Sequence, residues 1–545
     1  MKILLCYPPL WDFNLSPMLS MPLLSGMLKE QGHDVEIFDI NSAFMNFVLS
    51  KDFLEYCRNR ESFLQTEYEH LQNDNTKEPK FVNAIREEYL FLKKIRNSYL
   101  YHFNNKYNNA KEGFTDFFKT KDVSNFNKAT TILKKITNFI FDCRFYNDIP
   151  YEYNLLYNWE QKLIKNLIEK KPSLIGFSVY SQAQYYWGIK FAKVIKQHLD
   201  TTIVFGGAEI TNSRNSISKD VFNSVDALIY GEGEQAFTML GQGKPFDEIP
   251  NLMYLDENKE IKTNPEGTKT KNFKFYKPNY SGIKFNDYFL PETVLQIESC
   301  RGCYWHKCEF CTFWDCTTYK QKNVDDLIEE IKEYVNVHNI RHFFFSDSAI
   351  HPEYLRAFSQ KILENNLKIY YVAFLRLEKE FDEELLMLMY KAGLRIALWG
   401  LESGSQRILD MYNKGTKVET NARILKDAHS AGIFNYCWMM INFPQETIDD
   451  INQSKDFLTK HYDIIDYVSN HGFMILQNAL ILKKLEKYGL EDYIFQKDDL
   501  YRPPKEIAEY ADRYQNEIYQ LYYDKKEGNH KDISCLLLKV SHDRP

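Results

Sequence analysis

Short apolar runs alternating with amphipathic helical periods occur twice along this chain, and that alternation limits the fold more than any other feature. From residue 294 the runs are Val294 to Ile297, Arg341 to Phe345, Ile369 to Phe374, Arg395 to Trp399, Phe434 to Ile441 and Ile464 to Val468. Between them, sets such as Leu327, Ile328, Ile331 and Val335, or Leu385, Leu386, Leu388 and Met389 before Gly393, carry the 3.6-residue helical period. Strands separated by crossover helices pair in parallel. Six units are too few to close the eight-stranded (β/α)8 barrel. The expected form is a partial (β/α)6 barrel with its site at the carboxyl ends of the strands.

The first third shows the same alternation: Ile3 to Cys6, a helix from Ser16-Pro17 to Gly32, Val35 to Asp39, then Leu174 to Val179, a helix through Tyr186 to His198, Thr202 to Phe205 and Ala227 to Tyr230. This predicts an α/β, doubly wound, Rossmann-like parallel sheet. Ligands of such sheets lie beyond the strand carboxyl ends, where Pro8, Ser178, Tyr180, Gly206, Gly207, Gly231, Glu232 and Gly233 fall. These loops suit a large cofactor. Residues 44–170 interrupt the pattern; they are rich in Lys, Glu, Asn, Tyr and Phe, with helical periods such as Tyr89, Leu92 and Ile95, and read as a helical insertion. Residues 241–285 read as a connector packed between domains, with a weak strand signal at Leu252 to Leu255. The expected domains are 1–285, 286–480 and a charged, helical tail, 481–545.

A net charge of −7 supplies no bulk attraction for nucleic acid. No apolar stretch approaches the roughly 20 residues that span a bilayer. The start, Met1-Lys-Ile-Leu-Leu-Cys-Tyr-Pro-Pro9, lacks the long apolar region and cleavage site of a signal peptide and reads as a first strand. A cytoplasmic enzyme with no nucleic-acid or membrane partner is expected.

Of the 10 cysteines, half fall between 300 and 316. That is a local concentration rather than a disulfide framework. Cys300, Cys303, Cys308 and Cys311 follow directly on the run Val294 to Ile297, and no second ligand pair of the kind a structural zinc site draws from elsewhere is evident. Short thiolate spacings of this kind hold iron–sulfur clusters; three thiolates would leave one iron of a cubane open, whereas four would close it. Cys300 stands as an alternative first ligand or a fourth, and a small zinc knot is the competing reading.

The segment Arg301-Gly-Cys303-Tyr-Trp-His-Lys-Cys308-Glu-Phe-Cys311 resembles the cluster loop of the radical S-adenosylmethionine superfamily, with four residues in place of three between the first two cysteines. The resemblance implies a [4Fe-4S] cluster on Cys303, Cys308 and Cys311, Arg-Gly preceding the first ligand in similar loops; Cys300 and Cys316 then read as spare thiols. It further implies that the open iron binds the amino and carboxylate groups of S-adenosylmethionine, which reduction cleaves to a 5′-deoxyadenosyl radical, and that Phe310 packs near the adenine. Gly400-Leu-Glu402-Ser403-Gly404-Ser405 with Lys414-Gly415 resembles the fourth-strand signature, which brings Glu402 and Ser403 to the ribose or methionyl part. Asp347 stands where relatives carry a Gly-Gly-Glu that receives the methionyl amino group, a helix cap being its rival role. Arg376 would pair the carboxylate, its rival role being a surface ion pair. Phe443-Pro444-Gln445-Glu446-Thr447 resembles a Gly-Phe-Pro-Gly-Glu-Thr loop, with Asn442 and Gln445 in place of the glycines.

The amino-terminal stretches Tyr7-Pro8-Pro9, Ile175-Gly-Phe-Ser178, Val204-Phe-Gly206-Gly207 and Tyr230-Gly231-Glu232-Gly233-Glu234 resemble the cobalamin-binding domain of the cobalamin-dependent subclass. The motif Asp-x-His-x-x-Gly is absent from residues 1–285, which implies either cobalt without a histidine lower ligand or a degenerate domain that no longer binds the cofactor. The subclass implies C-methylation of an unactivated carbon in a ribosomally made peptide or other natural product, with a reductant such as flavodoxin or ferredoxin. Rearrangement, cyclisation or oxidation without methyl transfer, and a non-catalytic iron–sulfur protein, are the alternatives.

Overall fold

The computed structural model describes residues 1–9, 16–48, 50, 157–267, 274–312, 318–476, 479–493, 499–525 and 533–543, with scattered positions between 59 and 93. They form two compact units, Met1–Thr268 with Tyr276–Pro291, and Lys269–Phe275 with Glu292–Pro545. Among the described residues no helix is long and apolar enough to cross a membrane.

The first unit is built on β1 (Lys2–Tyr7), β2 (Asp34–Asp39), β3 (Leu174–Ser178), β4 (Thr202–Gly206), β5 (Ala227–Ile229), β6 (Leu252–Leu255) and β7 (Ile261–Thr263), in spatial order β2-β1-β3-β4-β5-β6-β7. The first five are parallel. Ile3, Leu4, Leu5 and Cys6 are all buried, as expected of a parallel strand with helices over both faces. Because β1 lies between β2 and β3, the loops leaving β1 and β3 diverge, which opens a crevice at this switch point.

One sequence expectation changes here. The first helix spans Ser20–Glu30, shorter than Ser16 to Gly32; Pro22 occupies its first turn, where a missing N–H costs nothing. Leu252–Leu255, where the sequence carries a weak strand signal, is an antiparallel strand on β5. The insertion read over 44–170 lies mostly outside the described residues. Its flanks are helical, Ile40–Val48 and Tyr157–Glu169, and they meet: Trp159 packs on Phe44 and Phe47 with ring centroids 5.5 and 5.7 Å apart.

The second unit carries β8 (Val294–Ile297), the short pair β9 (Cys300–Arg301) and β10 (Lys320–Gln321), then β11 (His342–Phe345), β12 (Tyr370–Leu375), β13 (Leu394–Glu402), β14 (Phe434–Ile441) and β15 (Tyr467–Gly472). Six of these form one parallel sheet in the order β15-β14-β13-β12-β11-β8, with β8 and β15 as free edges of an unclosed barrel. The last strand begins three residues later than the apolar run Ile464 to Val468 suggests. Ile464 and Ile465 instead close the turn after helix Ile448–Lys460, bonding back to His461.

Strand register sorts the side chains onto two faces. Phe343, Phe345 and Tyr371 face the outer helices, where Phe345 and Tyr371 both pack on Phe358. Phe344, Phe374, Trp438 and His471 belong to the opposite face. The amino-terminal half of that second face is closed by helix Ile533–Asp543, whose Leu536, Leu537 and Leu538 are buried and whose Ser541 hydroxyl lies 2.9 Å from His342 Nε2.

Candidate functional site

The cysteine loop leaves the carboxyl end of β8. Its base is fixed by antiparallel pairing of Cys300 with Gln321 and Arg301 with Lys320, and the chain turns away at Gly302, whose φ of 73° lies in the left-handed region. Cys308 is buried, Cys303 and Cys311 are half-buried, and none of the three is in a disulfide. The Cys311 amide closes a turn onto the Cys308 carbonyl at 3.2 Å.

Trp305, Glu309 and Phe310 each help hold this loop to the rest of the second unit. Trp305 Nε1 donates to the Asn413 carbonyl at 2.7 Å, and its ring lies so close over Gly415 that a Cβ there would sit 2.2 Å from it. The Glu309 amide donates to the Tyr412 carbonyl at 2.9 Å, while Lys484 bonds the Glu309 carboxylate at 2.7 Å. Phe310 stands edge-on to Tyr412, centroids 5.4 Å apart, with Lys414 Nζ 5.8 Å from its centroid.

Arg376 is 4% exposed, which excludes the surface ion-pair role. Its Nε donates to Glu378 at 2.6 Å, Nη2 to the Lys414 carbonyl at 2.5 Å, and Nη1 lies 3.7 Å from Cys308 Sγ. Burial pushes the Cys308 thiol above its ordinary pKa, and the Lys414 and Arg376 cations pull it back toward the thiolate. Glu402 has a left-handed backbone, φ 63°, at a register shift in β13, and its carboxylate accepts from Lys414 Nζ at 2.7 Å. Cys308, Phe310, Arg376 and Glu402 are therefore gathered around Lys414.

Other sequence-singled residues take local roles. Asp347 is buried and accepts from the Ser299 and Cys300 amides at 2.9 and 2.5 Å. It is not a helix cap, since the following helix is capped by His351. Burial raises the Asp347 carboxyl to about 7 against those two hydrogen bonds. Ser403 is buried and its hydroxyl bonds Ser454 and the Ser405 amide, so it shapes the turn after β13. Cys300 is buried with its thiol 3.4 Å from the Ala349 carbonyl, and burial keeps it protonated.

The donor set of the loop fits an iron–sulfur cluster: three unbridged thiols on one loop, with an arginine aimed at one sulfur. Among the described residues no three Cys, His, Asp or Glu side chains converge to hold a single metal ion. A cubane asks for a different arrangement, one thiolate on each of three irons.

In the first unit Ser178 and Gly206 are register partners at the ends of β3 and β4. Gly207 follows with φ 111°, where a Cβ would sit 2.5 Å from the Val179 carbonyl. Gly231, Glu232 and Gly233, all half-buried, form the loop after β5, and the Gly231 amide bonds Thr211 Oγ1 at 3.0 Å. Tyr180, after β3, is 61% exposed. These loops stand at the carboxyl ends of β3, β4 and β5, the place where ligands of parallel sheets bind.

Sequence reasoning missed the residue that spans the crevice. Gln184 is fully buried; its Nε2 donates to the Pro8 carbonyl at 2.9 Å and its Oε1 accepts from the Tyr180 amide at 2.8 Å. The signal was present as Ser181-x-x-Gln184, a capping-box spacing in which Ser181 caps the helix. Trp305 and Glu309 were also passed over. Their partners lie far along the chain, and only the glycine of Lys414-Gly415 hinted at a close approach.

Residues 297–458 match the family model of the Radical SAM superfamily. Among curated proteins, the chain is 24% identical over 311 residues to the anaerobic magnesium-protoporphyrin IX monomethyl ester cyclase of Rubrivivax gelatinosus, covering 54% of this chain and 55% of that protein. The chain thus spans about half the length of curated relatives it matches. Among solved structures it resembles the cobalamin-dependent S-adenosylmethionine radical enzyme OxsB with aqua-cobalamin and S-adenosylmethionine bound, with a TM-score of 0.56 at 18% identity over 97% of this chain and 62% of that one. The radical S-adenosylmethionine methyltransferase TsrM from Kitasatospora setae, bound to tryptophan substrate and a SAM analog, gives 0.56 at 13% identity over 94% and 82%. Residues 297–458 thus match the radical SAM superfamily model, and the chain shares the α/β fold of these solved structures.

Proposed function

We propose that this chain is a cobalamin-dependent radical S-adenosylmethionine enzyme that methylates an unactivated carbon of a peptide or other natural product. The observation that carries the reading is the loop of Cys303, Cys308 and Cys311 at the carboxyl end of β8, with Arg376 directed at the Cys308 sulfur. When bound, the cluster would supply the electron that cleaves S-adenosylmethionine and cobalamin a transferable methyl group. Cys303, Cys308 and Cys311 would hold the cluster. Arg376 donates toward Cys308 and stabilises negative charge on its sulfur. The Glu402–Lys414 pair, with Phe310 beside it, offers a carboxylate, an ammonium and a ring to the ribose, methionyl and adenine parts. Ser178, Tyr180, Gly206, Gly207 and Gly231 to Gly233 would cradle the cobalamin, with Gln184 holding the crevice open.

The test is anaerobic reconstitution of the full chain with iron, sulfide and cobalamin, followed by reduction in the presence of S-adenosylmethionine. About four irons per chain and formation of 5′-deoxyadenosine are expected. Absence of 5′-deoxyadenosine from cluster-loaded protein would leave only a non-catalytic iron–sulfur role. Similarity to the cyclase supports a second reading, ring closure without methyl transfer. Product mass separates the two: methylation adds one methylene unit, and oxidative cyclisation removes two hydrogens.

A further inference from the structure

The inner face of the barrel sheet is finished by the protein itself over its amino-terminal half and left as an array of rings over its carboxyl-terminal half. Helix Ile533–Asp543 closes the former. On the latter, Phe344, Phe374 and Trp438 are half-buried and His471 is exposed. Phe374 and Trp438 are inclined at 33° with centroids 6.4 Å apart, and Trp438 and His471 at 26° and 5.1 Å. Phe344 stands edge-on to Phe374 at 86° and 5.8 Å. The rings of β12, β14 and β15 thus follow one another as an offset stack that is open at the exposed His471, and Phe344 closes the other end.

Two features place this surface beside the chemistry. Phe374 lies two residues before Arg376, the residue directed at Cys308. Gly400, the register partner of Trp438 on β13, has no side chain, and a Cβ there would lie 2.8 Å from both Glu402 Oε1 and Lys414 Nζ. The missing side chain admits the ion pair to the row of rings, so an apolar surface acquires one charged edge. Ser469 adds a hydroxyl 2.8 Å from His471 Nε2.

An aliphatic ligand is served by conformable Leu, Ile and Met walls. Rigid rings already stacked at small mutual angles instead favour one further offset-stacked ring. We propose that this row is the substrate-reading surface and that the substrate presents it with a flat, π-rich ring, lying beside the S-adenosylmethionine held at the Glu402–Lys414 pair. The inference rests on the radical-enzyme reading for the place of reaction and adds to it the class of substrate.

The test titrates 2-naphthol and its saturated counterpart decahydro-2-naphthol into the anaerobically reconstituted full chain by calorimetry. The flat probe is expected to bind saturably and at least tenfold more tightly than the saturated one. Trp438→Leu and Phe374→Leu should each weaken it roughly five- to tenfold, while Tyr519→Leu, exposed on helix Lys505–Lys525, should leave it unchanged. Two variants on different strands guard against one failing to fold. Equal affinity for the two probes, or unchanged 2-naphthol affinity in both wall variants, would overturn the proposal. Formation of 5′-deoxyadenosine is read in the same samples. Its absence from the wild type marks failure of the radical reading, whereas its presence with no discrimination between probes marks failure of this inference alone.

Discussion

Arg376 joins Cys308 to Lys414: one guanidinium nitrogen lies 3.7 Å from the thiol sulfur while another donates to the lysine carbonyl at 2.5 Å. A buried cation at this distance stabilises added negative charge on the sulfur, and charge-assisted hydrogen bonds are the stronger kind. Arg376→Gln should retain cluster absorbance yet lower its midpoint potential by on the order of 60 mV, one tenfold step for a one-electron couple. Redox titration followed by electron paramagnetic resonance checks this. An unchanged potential would mean that the guanidinium acts on loop geometry alone.

Gly415 is the floor on which Trp305 rests. A methyl group there meets the indole at 2.2 Å, on a backbone with φ of 76°. Overpacking costs about 1–3 kcal/mol and the left-handed conformation about 1–2 more. Gly415→Ala should lower iron content per chain and the midpoint of thermal unfolding together, whereas Trp305→Phe should largely spare both.

Asn442 and Gln445 occupy the two positions where the similar family loop has glycine, and both have φ of 66°. The Asn442 side-chain carbonyl is also buried without a hydrogen-bond partner. Asn442→Gly relieves the backbone and removes that orphaned oxygen. A gain of about 0.5–1 kcal/mol is expected from denaturant titration, and a loss of stability would show that the side chain does work not visible in the fold.

Glu446 is raised from 4.5 to about 8, chiefly by burial, against two hydrogen bonds from the Asn442 and Phe443 amides. A carboxyl whose folded pKa exceeds its unfolded value binds protons more tightly in the native state. Its contribution to stability is therefore full below pH 4.5 and is lost as pH climbs toward 8. Glu446→Gln keeps an oxygen to accept the amides and cannot ionise. The variant's unfolding temperature should fall less than the wild type's between pH 5 and 8, by roughly 2–4 °C for each kcal/mol recovered. Parallel curves for the two proteins would count against the raised pKa.

The strands that carry the barrel were legible because their apolar runs are short, bounded and separated by clear helical periods; Val294–Ile297 and Phe434–Ile441 coincide with the expected spans. β15 was misplaced because its sequence, Tyr-Val-Ser-Asn-His-Gly, is largely polar and lies at an edge of the sheet. The cysteine loop could be read from spacing, but not what secures it. Trp305 with Gly415 and Glu309 with Lys484 are contacts between distant segments, to which local periodicity is blind. Asp347 shows the same limit: its place just past the end of β11 was apparent, but its bonds to Ser299 and Cys300 depend on which strand pairs beside β11.

The two hydrogen bonds of Gln184 have a consequence for how the amino-terminal unit tolerates change. One of them closes a segment of 176 residues onto the Pro8 carbonyl, and the stacking of Trp159 on Phe47 pins the far end of the inserted stretch to its near end. The entropic cost of closing such a segment grows only logarithmically, about 0.6 kcal/mol for each doubling of a flexible length. The crevice and the insertion are thereby uncoupled: additions or deletions between the flanking helices would leave the spacing of the β1 and β3 loops as it is.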